Sequence, residues 1–539
     1  VAVEAIGLGP RDSATWTWSA ILAAAILSCY LLLAPPVSGD KDASEFGLAL
    51  ATGGVIHPTG YPIYTVLGHG FVLLLHRLGA GFPFAANAWA ALGGGVAMLL
   101  VHRLALRLLP PGRLTRVERF ILAALPVLLL GFNPVWMVEC TVVEVHSWHL
   151  AWLCGTALFF TCVVEELGRG VPVPHLPRHM FAWGLLCGLG GAHHTTSIFF
   201  AGGFTLGLCW ALARAKQLHA WIPMIWLVAG ALPLLSYGYI YYRAAHPGGA
   251  QVWPVLEPSF RGVLDHMTAR EYRFYLGRFA PDGAQAAWLG WYIHPYLWPG
   301  LALLAAHLLQ ARGFARRIVV AGLLLSAIAE TLFAYRYGVG DPDAYFLPPL
   351  LVAALSVAAA GGDLLPALRR FRFGPAMATA GAALALIAFV VPGLRVAAGR
   401  KKALIEFDRS IHASWSAIPY ERAIVLWPDD AYYRLKEYQV YRGEKPGLEV
   451  VNTASLFNER PRMLFRRKHG FDAQGAIDEA HRIQPLKPEF VIGQQRSDAD
   501  AHAFAVVHEY IAQMADVPVV AFDPPRPPRV LAPTKRAPP

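Results

Sequence analysis

Apolar runs near the ~20 residues that cross a bilayer recur from Trp16 to Val396, separated by short polar stretches. Read by hydropathy, they lie at Trp16–Pro36, Pro83–Leu108, Phe120–Met137, Ser147–Val164, Phe181–Ala192, Ser197–Leu212 and Trp221–Tyr241, then at Ala287–Gln310, Ile318–Ala334, Phe346–Gly361 and Ala376–Val396. The pattern predicts a polytopic α-helical membrane protein with about eleven transmembrane helices. Tyr61–Leu78 is also apolar but carries His69, His76 and Arg77. As a span it would put the basic loop of Arg107, Arg113, Arg116 and Arg119 outside, against the positive-inside rule. It is therefore expected to lie in the interface as an amphipathic helix of the first outer loop.

This threading puts each Arg cluster between spans on one side and the acidic and histidine clusters on the other. The N-terminus is expected in the cytoplasm, with the first run a retained anchor in the cytoplasmic (inner) membrane. From Gly399 long apolar runs stop and charged residues become frequent. Ala423–Trp427, Leu448–Val451 and Glu489–Ile492 read as short strands, and Asp430–Tyr441 and Asp472–Arg482 as helices. The expected division is a transmembrane domain at 1–397, a soluble extracytoplasmic α/β domain at 398–522, and a disordered Pro-rich tail at 523–539.

Composition agrees. The 539 residues are 55% hydrophobic and 15% charged, with mean hydropathy +0.41, which excludes a disordered chain. The net charge of +10 comes from arginines between apolar runs, so no nucleic acid is expected as partner. Six cysteines lie in or beside apolar runs without CxxC spacing, so neither a disulfide nor a thiolate metal site is expected.

The polar stretch Ser38–Tyr64 follows the first run directly, and its acids Asp40, Asp42 and Glu45 stand where the chain leaves the bilayer. Carboxylates there need water or partners. A stiff turn follows, from His57 through Pro58, Gly60 and Tyr61 to Pro62. An acid above a membrane can take a proton from an acceptor, and an arginine can stabilise a phosphate leaving group. Arg243, Arg270, Arg273 and Arg336 are outer-side cations in a chain that otherwise places Arg inside. Glu144 and His146, with His193 and His194, are residue types that ligate a divalent metal, or polar span ends capped by hydrogen bonds. Asp341 and Asp343 carry the same ambiguity. Glu330 falls inside a span and is near the surface, paired, or functional.

These motifs together resemble a family. Gly39-Asp40 with Glu45 and the His57–Pro62 turn resemble the first outer loop of bacterial membrane proteins long called a domain of unknown function. That family is related to the animal transmembrane O-mannosyltransferase of plexin-type receptors. The resemblance continues at Pro134-Val-Trp136, at Glu144-Val-His146 (where the family has Glu-Val-Tyr), at His193-His194-Thr195, and at Asp341-Pro-Asp343-Ala-Tyr345. It implies a GT-C fold and a sugar, mannose favoured, moved from a polyprenyl-phosphate donor to a protein or glycan hydroxyl outside the cytoplasm. By that resemblance Asp40 is the catalytic base, with Glu45 second. His57, Tyr61, Glu144, His146, His193, His194, Arg243, Arg270, Arg273, Arg336, Asp341, Asp343 and Tyr345 are expected to bind substrate. A divalent metal is not established. Two alternatives carry different expectations. A transporter or lipid flippase needs a cavity open to both sides, and a scaffold with a partner-binding outer domain leaves Asp40 dispensable.

Overall fold

The computed structural model describes residues 13–531 except 41, 111, 171–172, 312, 340–341, 372–373, 430, 485–497 and 525. Helix α1 (Ser13–Leu33) ends before Pro35-Pro36, where the missing N–H groups stop a helix. Two short helices follow above it, α2 (Ala43–Thr52) and α3 (Pro62–Arg77), then the long α4 (Phe82–Leu108). Next come α5 (Arg116–Gly131), α6 (Pro134–Thr141) and α7 (His146–Leu167). α5 and α6 meet at 73°, because Asn133 caps the second helix and Pro134 opens it, as proline does at a first helical position. The bundle continues with α8 (Leu176–His193), α9 (Ser197–Arg214), α10 (Ile222–Leu234) and α11 (Tyr237–Ala245). After α12 (Phe260–Met267) and α13 (Gly283–Tyr292) come α14 (His294–Gln310), α15 (Phe314–Ala334), α16 (Leu347–Leu368) and α17 (Gly374–Ser416).

Close helix pairs meet at small residues, as in other membrane bundles. A Cβ on Gly188 of α8 would stand 2.1 Å from the carbonyl oxygen of Gly230 on α10. The main apolar core runs through α4, α7, α9, α15 and α16. Among the described residues seven helices are long and apolar enough to cross a membrane, or eight if the bent α5–α6 pair counts as one. That is fewer than the eleven runs of the hydropathy reading, because α8, α14 and the first half of α17, each read as a span, are not among them.

α17 is 43 residues long and carries the chain out of the bundle without a break. The boundary expected at 397/398 therefore falls inside one helix, which runs on through Pro392 while its composition changes from apolar to charged. The C-terminal domain is built on a four-stranded sheet, β1 (Ala423–Leu426), β2 (Leu448–Val451), β3 (Val519–Ala521) and β4 (Arg529–Leu531), in the order β2-β1-β3-β4. β1 lies parallel to β2 and β3, and β4 runs antiparallel to β3. Helices α18 (Tyr432–Arg442), α19 (Glu459–His469), α20 (Gln474–Ile483) and α21 (Asp498–Met514) accompany it. β4 lies in the stretch expected as a disordered tail; Val530 pairs with Val520 in the sheet, and such a short strand is masked by the prolines around it. The strand expected at Glu489–Ile492 lies outside the described residues.

Candidate active site

The segment between α1 and α2 is fixed by a buried amide. Asn87 of α4 donates from Nδ2 to the carbonyls of Pro35 and Val37, 3.0 Å each. Its Oδ1 accepts from the N–H of Val143 at 2.9 Å. One side chain thus ties the segment after α1 to the loop that carries Glu144. Asp40 follows two residues before the N-cap of α2. α2 buries Ala43 through Leu50, and this packing holds Glu45 at 2% exposure. Glu45 accepts from the backbone N–H of His57 and pairs with its Nδ1, both at 2.8 Å. Burial raises the Glu45 carboxyl above its ordinary range, and the facing His57 draws it back. His57 in turn sets its ring edge against Phe46, Tyr61 and Tyr272.

These parts surround a cavity of about 490 Å³. Asp40, Asp42, His57 and Tyr61 line it from the first loop, and Glu139, Glu144 and His146 from the α6–α7 corner. His194 and Thr196 line it from the α8–α9 connection, and Tyr337 and Tyr345 from the segment after α15. Tyr272 and Tyr275 add a further aromatic wall. Arg400 and Phe407 of α17 and Asp429 of the C-terminal domain complete it. Arg400 pairs directly with Asp40 through Nη2 and Oδ1. The His194 ring is stacked on Tyr61 at 5.9 Å and its Nδ1 meets Thr196 Oγ1 at 2.8 Å. Burial, then the neighbouring imidazoles, hold its pKa well below the ordinary histidine value, so it is neutral near pH 7.

Several expected residues stand elsewhere. Glu45 lies behind the wall and acts on His57. His193 turns away, to Tyr64 and His149 at 6.0 and 5.9 Å. None of the four outer arginines lines the cavity. Arg243 lies over the Tyr239 ring, and Arg270 is spent on exposed Asp265 at 2.8 Å. Arg273 and Arg336 are simply off the wall. An excess of Arg on one side says how many cations stand there but not where they point. Asp343 accepts from Trp288 Nε1 at 2.9 Å and is also off the wall. Asp341 lies outside the described residues. The sequence reading missed Arg400, Glu139, Tyr272, Tyr275 and Tyr337. The basic triplet Arg400-Lys401-Lys402 was a visible signal, but nothing in it points to an acid 360 positions earlier.

Two groups offer metal-ligand geometry: Asp42, Glu45 and His57, and Glu139, Glu144 and His146, each with ligand atoms within 4.8 Å of one another. In the first, the Nδ1 of His57 is already engaged by Glu45. In the second, Glu139 stands where the sequence reading had His193 and His194.

The neighbouring carboxylate, guanidinium, imidazoles and phenols can move a proton, hold an oxyanion and present flat apolar faces. Comparison with known proteins agrees in kind. Residues 42–218 match the family model described as the protein O-mannosyl-transferase TMEM260 N-terminal domain. The match begins just after Asp40 and ends before Tyr345, so the motif likeness read further along the chain lies beyond it. No curated protein matches the chain significantly. Among solved structures, the crystal structure of ArnT from Cupriavidus metallidurans bound to undecaprenyl phosphate is 15% identical, with TM-score 0.43, over 94% of this chain and 93% of that one. The apo state of the same protein gives 16%, 0.41, 94% and 93%. At that similarity no residue of one is matched to a residue of the other. Over residues 42–218 the chain is similar to the family described as the protein O-mannosyl-transferase TMEM260 N-terminal domain.

Proposed function

We propose that this chain is a membrane glycosyltransferase of the GT-C type, moving a sugar, mannose favoured, from polyprenyl phosphate to a hydroxyl of a protein or glycan on the extracytoplasmic side. The observation that carries the reading is Asp40 paired with Arg400 on the wall of a cavity lined by imidazoles and phenols. The family match over 42–218 supports it.

The chemistry follows from the arrangement. The acceptor oxygen attacks the anomeric carbon from the face opposite the phosphate. Its proton passes to the Asp40 carboxylate, the bond from carbon to phosphate oxygen breaks, and polyprenyl phosphate leaves with the electron pair. Inversion results. Arg400, paired with Asp40, fixes the direction of its carboxylate. The tyrosine faces at the wall suit the C–H faces of a sugar ring.

Transport is the weaker reading. A second groove of about 960 Å³ lies between α9 and α15, lined by Gly203, Trp210, Arg214 and Arg317 among others. It shares no lining residue with the first cavity.

The test is turnover of a labelled polyprenyl-phosphate mannose by the purified protein in liposomes with an acceptor peptide or glycan. Acceptor-dependent release of polyprenyl phosphate is expected. Movement of intact donor across the bilayer without release would favour transport.

A further inference from the structure

Residues 38–40 have no helix or strand of their own to hold them. They are held instead by the C-terminal domain. Arg434 of α18 is 2% exposed. Its Nη2 donates to the carbonyl oxygen of Ser38 at 3.0 Å and to that of Gly39. The Gly39 carbonyl belongs to the peptide unit that ends in the nitrogen of Asp40. Nη1 of Arg434 reaches Oδ1 of Asp408 at 3.3 Å. Asp408 stands on α17 about two turns beyond Arg400, the partner of Asp40. Tyr438 donates to the same Asp408 oxygen at 2.9 Å. Glu437, 3.7 Å from Nε of Arg434, accepts from the Ser38 hydroxyl.

The reason for such a device lies in Gly39. A Cβ there would stand 2.1 Å from Cγ1 of Val142, so only glycine fits against the neighbouring loop. Glycine also leaves the backbone its widest choice of dihedrals, directly before the residue that needs a fixed direction. One guanidinium nitrogen shared by two successive carbonyls removes that choice, because both oxygens must turn to the same point. A buried arginine is tolerated when acids and hydrogen bonds offset its desolvation; Asp408 and the two carbonyls accept from it and Glu437 stands 3.7 Å from Nε, which itself makes no hydrogen bond.

We propose that Arg434 is a positioning residue for the transfer reaction: the C-terminal domain orients the peptide that carries Asp40, so that its seating on the bundle sets the rate of chemistry. This rests on the reading of Asp40 as the base. The C-terminal domain is then a working part of the active site, with Asp429 on its wall and Arg434 behind it.

The experiment uses the full-length protein in lipid nanodiscs, with Arg434→Gln, Arg434→Lys and Ser38→Ala compared with wild type. Two readouts are taken: amide hydrogen exchange of the segment 37–46, and kcat and KM for a labelled polyprenyl-phosphate mannose. Arg434→Gln should speed exchange at 38–40 by about tenfold, as local opening becomes easier. It should lower kcat by roughly 10- to 100-fold, the scale of a small misplacement of a reacting group, with KM nearly unchanged. Arg434→Lys, which keeps the charge and can reach one carbonyl, should recover part of both. Ser38→Ala, which alters no charge and removes only the hydroxyl that donates to Glu437, should shift both the same way by less. Wild-type exchange and kcat in folded Arg434→Gln would overturn the proposal; where that variant does not fold, wild-type exchange in both Arg434→Lys and Ser38→Ala would do so. Faster exchange at 38–40 alongside a fully active Asp40→Asn would leave the loop contact standing and remove the base assignment instead.

Discussion

Gly39 shows how a single missing side chain sets the site. Val142 Cγ1 and the Cβ of Ala43 would stand 2.1 and 2.7 Å from a Cβ at this position, and both belong to buried residues. Gly39→Ala must push the loop from its place. Overpacking of this kind costs ~1–3 kcal/mol, so thermal unfolding should shift down and turnover should fall more than tenfold while the fold persists. Unchanged turnover would show that the loop tolerates displacement. Much of the site was legible at this scale. Asp40, His57, Tyr61, Glu144, His146, His194 and Tyr345 were singled out from polar motifs beside apolar runs, and all line one cavity. Such residues announce themselves because each is costly at a span end without a use or a partner. The cation was misplaced for the complementary reason. Arginine at an outer loop is unremarkable to solvate, so its presence in the sequence does not tell whether it turns to a cavity, as Arg400 does, or to Asp265, as Arg270 does.

α18 is the element that joins the two halves of the molecule. It is an eleven-residue helix whose buried face carries Arg434 and Glu437 toward the first loop. Burial, the largest cause, pushes the Glu437 carboxyl up to about 7, with Arg434 and Ser38 opposing. The sign of the linkage follows. A carboxyl whose folded pKa lies above its unfolded value of 4.5 contributes stability that is full below about pH 4.5 and lost as pH rises through 7. The size is on the order of 3 kcal/mol. Glu437→Gln keeps an acceptor for Ser38 and carries no proton to lose, so relative to wild type it should gain thermal stability from pH 5 to pH 8. Parallel pH profiles of unfolding would contradict this. Elements were otherwise read well where apolar length alone defines them, as in α4, α7, α15 and α16. They were read poorly where an Asn-Pro pair bends a run, as at α5–α6, or where a helix such as α17 continues past an internal proline from apolar into charged sequence.

In the whole molecule, one cavity draws on the first loop, the α6–α7 corner, the α8–α9 connection, the segment after α15, α17 and the C-terminal domain. No local pattern in the sequence encodes that convergence, because Asp40 and Arg400 are brought together only by the packing of everything between them. The family match covers 42–218 and leaves both members of that pair outside it, so their role rests on their geometry. The account's central claim is that Asp40, held by Arg400, takes the proton of the acceptor. Its most direct test is acceptor-dependent release of polyprenyl phosphate by wild type and by Asp40→Asn, side by side in the same liposomes. The amide preserves shape and removes the base, so turnover should fall by ~10²–10⁴, the share of a positioned general base, with donor binding retained. Turnover of Asp40→Asn within a few-fold of wild type would contradict the account.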